Sequence, residues 1–217
     1  MRSNNTKMKQ KYKTFSIIYD NIFKLLENLI FMNKKNSPRY ALGSKIKNNN
    51  LQILDVCCGS GRASLPFAGS TNTIVGIDLS SDMLALAKKK NGKTRSQNVS
   101  FLQMDATKID FPDEKFDVVM SSFALHEMNS DLMTSVLMEK YRVLKKGGKL
   151  YIVDYGEEYS FLNKLIFSTY LKICYPERIM DFLKYDWDQI LSSIHFQFDY
   201  IEKYKISRLI CATKIDN

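Results

Sequence analysis

The chain has 217 residues, which is enough for one α/β domain with a substantial buried core and too few for two full-sized domains. Hydrophobic residues make up 45% of it and aromatic residues 12%, a globular composition that excludes disordered and fibrous proteins. The formal net charge is +9, and residues 1–50 carry the whole excess, because basic and acidic residues balance over the rest of the chain.

Residues 1–50 form a predicted basic helical cap. Between residues 15 and 31 apolar side chains recur at helical spacing, which predicts one amphipathic helix or two short ones. The stretch 33–44, which contains Pro38 and Gly43, predicts at least one loop after it, and the asparagines at 48–50 predict a hinge into the main domain. The positive charge indicates contact with anionic lipid or nucleic acid, but a solvated Lys-rich segment without a partner has the same pattern, so both interpretations stay open.

Residues 51–155 alternate short β-rich runs with helical stretches, which predicts a mostly parallel sheet with crossover helices. The predicted strands are 52–56, 73–77, 99–103, 116–121 and 149–154. The predicted helices are 63–67, 81–90 and 132–143, and a turn at 145–148 precedes the fifth strand. This segment is the predicted cofactor-binding core of a doubly wound α/β fold.

Residues 156–217 complete the predicted domain with further helices and two late strands within 196–214. An aromatic-rich helical region at 159–183 directly follows the fifth strand, and a second helix is predicted at 186–193. Open α/β sheets bind ligands at their carboxyl edge, so the first of these regions would form a lid there. The aromatic side chains of region 159–183 equally fit ordinary packing in the core of a helical segment. Together with the core strands this gives a seven-stranded sheet in a single domain, 1–217.

The cysteine pattern predicts neither a metal cluster nor a disulfide framework. Four cysteines, at 57, 58, 174 and 211, contain no CxxC pair, and the chain has two His. No apolar stretch approaches the roughly 20 residues that span a bilayer, and no signal peptide is recognisable. We therefore expect a cytoplasmic protein without a metal site.

The first predicted strand runs into a glycine turn, ILDVCCGSG, at residues 53–61. Gly59 and Gly61 permit a tight backbone and the close approach of a ligand, although an empty strand-to-helix turn has the same pattern. A dinucleotide-binding turn carries a third glycine or alanine and usually no acid at its start, whereas this one has Ser64 and Asp55. An acidic turn suits a cationic cofactor and would repel a pyrophosphate.

Two further acids end the next two predicted strands. Asp78 follows Asp55 by 23 residues, at a position where a carboxylate accepts the ribose hydroxyls of an adenine nucleotide, whether NAD or S-adenosylmethionine. Asp105 ends the third strand, where it could accept from an adenine amino group while Ala106 offers its amide. Asp105 alone would fit the cap of a helix or turn, but acids at the ends of three consecutive strands favour a nucleoside-containing ligand.

Residues 51–155 resemble the class I S-adenosylmethionine-dependent methyltransferases, and several phrases are similar to the ubiquinone/menaquinone C-methyltransferase family and its phospholipid N-methyltransferase relatives. Those phrases are LDVCCGSG (54–61), GIDLS (76–80), DA (105–106), FDVV (116–119) and RVLKKGG (142–148). The resemblance implies a Rossmann-like sheet, S-adenosyl-L-methionine as cofactor and methyl transfer as the activity. It is much less specific for the acceptor.

The same resemblance implies which residues bind the cofactor. The expected set is Asp55, Cys57, Gly59 and Gly61 for the methionine portion, Asp78 for the ribose, Met83, Asp105 and Ala106 for the adenine, and Leu79 and Ser121 beside them. Cys57 stands where most of the superfamily has Gly, a departure also seen in the quinone branch.

Tyr19 and His126 are the predicted catalytic residues. By resemblance, Tyr19 belongs to a Tyr-Asp pair that closes over the cofactor, although it also fits core packing. His126 follows the fourth strand and is the one credible proton acceptor, because histidine exchanges protons near neutral pH; it could instead shape the pocket through hydrogen bonds. Asp154 and Tyr155 are second-rank candidates. Methyl transfer needs little acid–base machinery, because the sulfonium is already activated.

The expected acceptor is small and lipid-like or quinone-like, with weak peripheral contact to anionic membranes through the basic cap. One alternative is a methyltransferase acting on RNA or protein, but no Asn-Pro-Pro-Tyr type motif follows the fourth strand, so nucleic acid is disfavoured. Another is a non-catalytic partner protein that binds the cofactor, and the intact glycines and acids argue against it.

Overall fold

A computed structural model of the protein describes residues 37–46, 50–94, 96–156, 179–204 and 206–215. The strands are β1 (Gln52–Val56), β2 (Thr73–Asp78), β3 (Val99–Gln103), β4 (Phe116–Ser122), β5 (Leu144–Tyr155), β6 (Phe196–Tyr204) and β7 (Ser207–Lys214). They form one seven-stranded sheet in the order β3-β2-β1-β4-β5-β7-β6. β1 to β5 pair in parallel, and β7 is antiparallel to both of its neighbours. The predicted doubly wound, mostly parallel sheet is confirmed.

The described helices are α1 (Pro38–Lys45), α2 (Ser81–Thr94), α3 (Ser130–Val143), α4 (Ile179–Leu183) and α5 (Trp187–Ser192), with 3-10 turns at Leu65–Phe67 and Leu125–Glu127. Side-chain caps fix where two of them begin. The Asn129 side chain accepts from the amide of Leu132 at the start of α3, and Asp186 accepts from the amide of Gln189 at the start of α5. None of these helices is long and apolar enough to cross a membrane.

Two local predictions were wrong, each for an identifiable reason. Of the stretch 33–44, in which at least one loop was predicted, residues 38–44 lie in α1, which begins at Pro38 because proline is favoured at the start of a helix; residues 33–36 lie outside the described ranges. The helix predicted at 63–67 is only a 3-10 turn, since Pro66 disfavours helical backbone at the preceding residue. The turn predicted at 145–148 lies within β5, as an irregularity in its pairing with β4, and Gly147 there has a φ of +69°.

Both faces of the sheet are buried, as in doubly wound folds. One face packs against α3, α4 and α5, and the other packs against α1 and α2. α1 contributes Leu42, which is 1% exposed, to the second face and contacts β5 and β7. The docking of α1 places Arg39 at the carboxyl end of β4, where its side chain reaches Ser122.

Some predictions lie outside the described residues. They include the amphipathic helix with Tyr19 and most of the aromatic-rich region 159–183, of which only α4 is described. The lid therefore stays a prediction, as does the division into 1–50, 51–155 and 156–217.

Candidate functional site

A cleft opens at the carboxyl ends of β1, β2 and β4, where the strand order reverses and open α/β sheets bind their ligands. Its volume is about 830 Å³ including the open mouth. A smaller cavity of about 370 Å³ shares Cys57, Asp78 and Leu79 with the cleft. The predicted cofactor residues that line one or both are Asp55, Cys57, Gly59, Asp78, Leu79, Met83, Asp105 and Ala106.

The turn after β1 depends on left-handed backbone. Gly59 has a φ of +53° and Gly61 a φ of +77°. A Cβ atom at Gly61 would lie 2.8 Å from the Phe101 ring, so this position has no room for a side chain. Cys57 has a φ of +60°, which a residue with a side chain rarely adopts, and this explains why glycine is common there. Gly61 shapes the turn and is not among the residues that line the cleft.

Asp78 ties the turn after β1 to the end of β2. Its Oδ2 accepts from the amide of Gly59 (2.8 Å), and its Oδ1 accepts from the amide of Ser80 (2.9 Å). Burial raises the pKa of Asp78, and the two amide hydrogen bonds oppose that rise. The carboxylate is therefore held at the cleft wall by the backbone.

Asp55 is fully buried in β1, and its Oδ2 accepts a hydrogen bond from the Ser64 hydroxyl at 2.5 Å. Burial raises the pKa of Asp55 to about 7, although Ser64 and the nearby guanidinium of Arg39 favour the charged form. Among the described residues, Oδ1 has no hydrogen-bond partner. A buried carboxylate oxygen in this position suits a cationic donor from a ligand.

Asp105 belongs to the smaller cavity. Its Oδ1 accepts from the amide (2.9 Å) and the hydroxyl (2.8 Å) of Thr107, which fixes the loop after β3. Ala106 lies between them in sequence and also lines the cavity. Met83, which is 3% exposed, lines the cleft from α2.

Arg39 is a cleft residue that sequence reasoning missed. Its Nε donates to the Ser122 hydroxyl at 2.7 Å, and its guanidinium lies 4.6 Å from the centre of the Phe123 ring. From the sequence alone Arg39 is indistinguishable from the other basic residues of 1–50, because the docking of α1 depends on contacts with distant strands. It brings a cation to the same cleft as Asp55.

His126 is paired with Asp154 behind the cleft wall. Its Nδ1 lies 2.7 Å from Asp154 Oδ1, and Asp154 Oδ2 accepts from the amides of Ala124 (3.2 Å) and Leu125 (3.0 Å). Burial alone would raise the pKa of Asp154, but His126 and the amides outweigh it and hold that pKa below its usual value. Asp154 is therefore an ionised partner for the imidazole.

His126 itself is 2% exposed and does not line the cleft, although Ala124 and Glu127 beside it do. Glu127, which sequence reasoning did not single out, has its Oε1 4.0 Å from His126 Nε2. The Tyr155 ring packs edge-to-face on the imidazole at 4.7 Å. The catalytic role of His126 stays a prediction.

Ser121 faces away from the cleft. It is 1% exposed, and its hydroxyl accepts a hydrogen bond from Lys140 of α3 at 2.6 Å. Ser122 lines the cleft instead, because successive side chains of a strand point to opposite faces. No group of three or more His, Cys, Asp or Glu within the described ranges could hold a metal ion.

The chain matches known methyltransferases over most of its described length. The family described as "Methyltransferase domain" matches residues 53–148. A demethylmenaquinone methyltransferase of Staphylococcus epidermidis is 29% identical over 179 residues, which cover 81% of this chain and 73% of that protein. One from Lactobacillus johnsonii is 31% identical over 153 residues, which cover 68% of this chain and 62% of that protein.

The fold agrees with these relatives. The solved structure of an S-adenosylmethionine-dependent methyltransferase from Aquifex aeolicus covers 90% of this chain and 98% of its own, with a TM-score of 0.67 and 21% identity. The protein is a class I S-adenosylmethionine-dependent methyltransferase. It is related to the quinone methyltransferases.

The cleft of this methyltransferase fits S-adenosylmethionine. Asp55, Asp78 and Asp105 line the cleft and the smaller cavity next to it. These carboxylates suit a ligand with an ammonium and a sulfonium and no phosphate. A Cβ atom at Gly59 would lie 3.3 Å from Met83 Cε, so a side chain there would crowd a methionine that lines the cleft. The family uses S-adenosylmethionine, and the charges of the cleft suit it, in agreement with the predicted cofactor.

Proposed function

We propose that the methyltransferase methylates a small aromatic acceptor of the quinol class. The observation that carries this proposal is an aromatic side chain, Phe123, in the lining of the cleft. Phe123 lines the cleft and packs edge-to-face on Tyr155 at 5.1 Å, with the Arg39 guanidinium on its ring. Phe123 has a φ of +54°, a strained conformation that bulky residues keep mainly where function requires it. The relatives named as demethylmenaquinone methyltransferases support the same acceptor class.

For the cofactor, we propose one partner for each polar group. Asp78 would accept the ribose hydroxyls, and Asp105 with Ala106 would bind the adenine edge over Met83. Asp55 would bind the ammonium of the methionine portion, and Arg39 would bind the carboxylate of the same portion. Each charged group of the cofactor's amino acid would then contact a side chain of opposite charge. When bound, the cofactor supplies an electrophilic methyl group on a sulfonium.

On the acceptor side, the proposed task of the protein is to remove a hydroxyl proton. Loss of that proton makes the ring carbon beside the hydroxyl more nucleophilic, and after methylation the proton on that carbon leaves and the hydroxyl is restored, which returns the ring to its aromatic form. Asp154 would hold a proton on His126 Nδ1 and leave Nε2 as the acceptor. Glu127 lines the cleft next to Nε2 and could pass the proton between the acceptor and the imidazole. The Phe123 ring in the cleft lining would orient the flat acceptor.

A test uses a panel of acceptors and methyl-labelled cofactor, with mass spectrometry of each product. The panel contains a demethylated naphthoquinol, a phosphatidylethanolamine vesicle and bulk RNA. The proposal predicts labelling of the quinol and of neither other acceptor. Labelling of RNA with the quinol untouched would overturn it and favour the nucleic-acid alternative.

We also propose weak, reversible contact between residues 1–50 and anionic membranes. It is supported by the positive charge of this segment and by the lipid-like character of the proposed acceptor. Each basic residue near an anionic surface contributes about 1 kcal/mol, and salt weakens that attraction. Co-sedimentation with anionic vesicles at low and high salt tests it. Equal binding to neutral vesicles, or none at low salt, would refute it.

A further inference from the structure

The glycine turn after β1 is not followed by a regular helix. In doubly wound folds that turn usually opens an α-helix, whose first amides hold the turn and face the ligand. Here the chain from β1 to β2, which the structure describes throughout, contains turns and the 3-10 turn Leu65–Phe67 but no α-helix. Cys57 nevertheless keeps a φ of +60°, and such backbone persists only where its surroundings hold it. The turn therefore needs support from other parts of the chain.

The end of β2 supports one side of the turn. The amide of Cys58 donates to the carbonyl of Ile77 at 2.9 Å, and the amide of Gly59 donates to Asp78 Oδ2 at 2.8 Å. Neither of these bonds involves Ser60, which lies in the middle of the turn, is 2% exposed and lines the cleft. Ser60 is held from the other side, by α2.

One face of α2 packs against the turn. Met83, Ala87 and Lys90 are spaced by four and three residues, which places them on the same side of the helix. A Cβ atom at Gly59 would lie 3.3 Å from Met83 Cε, and a Cβ atom at Gly61 would lie 3.3 Å from Ala87 Cβ. The helix therefore follows the turn closely on both sides of its central residue.

Lys90 is the residue of this face that bonds to the central residue. Its Nζ donates to the Ser60 hydroxyl at 3.0 Å and to the Ser60 carbonyl oxygen at 3.3 Å, so one ammonium contacts both the side chain and the backbone of the turn. Hydrogen bonds from a charged donor are stronger than those between neutral groups. Lys88 and Lys89 beside it are exposed, whereas Lys90 is half-buried. Lys90 therefore differs from its neighbours in what it contacts.

We propose that Lys90 is a positioning residue for the cofactor: its ammonium holds Ser60, and with it the glycine turn, in the conformation that receives the methionine portion of S-adenosylmethionine. The inference rests on the proposed function, which places that portion beside the turn. Lys90 is not among the residues that line the cleft, so it acts through Ser60. A turn that is fixed before binding loses less conformational freedom when the ligand binds, and the affinity is higher for that reason.

The decisive variant is Lys90→Met, which keeps an unbranched side chain of similar helix propensity and removes the ammonium. Calorimetry would compare two ligands: S-adenosylhomocysteine, and methylthioadenosine, which has the same nucleoside and thioether but lacks the amino acid. We expect the affinity for S-adenosylhomocysteine to fall about 5-fold, since the lost hydrogen bonds have a charged donor but are partly exposed to water. The affinity for methylthioadenosine should stay within about twofold, whereas general damage to the fold would weaken both ligands alike.

Lys89→Met is the matched control, because it removes the same charge from an exposed position of α2 and should change neither affinity. Lys90→Arg keeps a charged donor and should recover most of the loss. Ser60→Ala tests the route: in that background Lys90→Met should weaken binding of S-adenosylhomocysteine less than it does in the wild type, because one of its two acceptors is already absent. Thermal unfolding of each variant shows whether the fold is kept, and Lys90→Arg and Ser60→Ala still give a result if Lys90→Met does not fold.

A Lys90→Met protein that binds S-adenosylhomocysteine as tightly as the wild type, or that loses affinity for both ligands equally, would overturn the inference. Wild-type protein that binds S-adenosylhomocysteine no more tightly than methylthioadenosine would refute the placement of the methionine portion, and the inference with it. The readout needs no acceptor. Wild-type protein that prefers S-adenosylhomocysteine but methylates no quinol would refute the acceptor proposal and leave this one standing.

Discussion

Replacing Asp78 by Ala should weaken binding of S-adenosylmethionine about 30-fold. The carboxylate is already fixed by the amides of Gly59 and Ser80, at 2.8 and 2.9 Å, so the unliganded protein has it in position. A hydrogen bond to a charged acceptor contributes about 1.5–3 kcal/mol, and the ribose offers two hydroxyls. Water entering the space left by the carboxylate recovers part of that loss. A net loss of about 2 kcal/mol corresponds to about 30-fold in Kd.

Calorimetric titration with S-adenosylmethionine and with its demethylated product measures this directly. Asp82→Ala is the matched control, because Asp82 is an exposed acid in the first turn of α2 and does not line the cleft. Asp78→Asn keeps one acceptor oxygen and should give an intermediate loss. An Asp78→Ala protein that melts like the wild type and binds with the same affinity would show that the ribose is placed wrongly.

Three further variants probe other parts of the site. Arg39→Met should weaken binding of S-adenosylmethionine about 10-fold but leave its decarboxylated analogue unaffected, since only the former has a carboxylate to pair; equal losses would contradict that role. His126→Asn should keep cofactor affinity within about threefold and lower turnover about 100-fold, and full turnover would remove it as a base. For Asp55, burial raises the pKa to about 7, so its ionisation destabilises the unliganded fold fully above that pH and not at all below about pH 4. Asp55→Asn should therefore raise the melting temperature more at pH 8 than at pH 5, and equal changes would contradict the burial argument.

The sheet and its acidic edge were predictable from local pattern. Short apolar runs, each ending at an acid, identified β1, β2 and β3, and the parallel order then brought Asp55, Asp78 and Asp105 to one edge. This works because strand hydrophobicity and turn chemistry are properties of neighbouring residues. The glycine turn was predictable for the same reason.

The missed residues depend on contacts between distant parts of the chain. Arg39 reaches the cleft only because α1 docks on β5 and β7, which lie more than 100 residues later. Lys140 looks like an exposed helix lysine until α3 is seen against β4. Ser122, and not the predicted Ser121, faces the cleft, because the register of β4 decides which of the two side chains points there.

A crystal structure with S-adenosylhomocysteine bound would test the central claim, that this cleft holds the cofactor, most directly. We predict ribose hydroxyls within hydrogen-bond distance of Asp78, adenine beside Met83 and Asp105, and the amino and carboxylate groups at Asp55 and Arg39. A ligand whose ribose lies away from Asp78, or whose amino acid end lies away from both Asp55 and Arg39, would contradict the account.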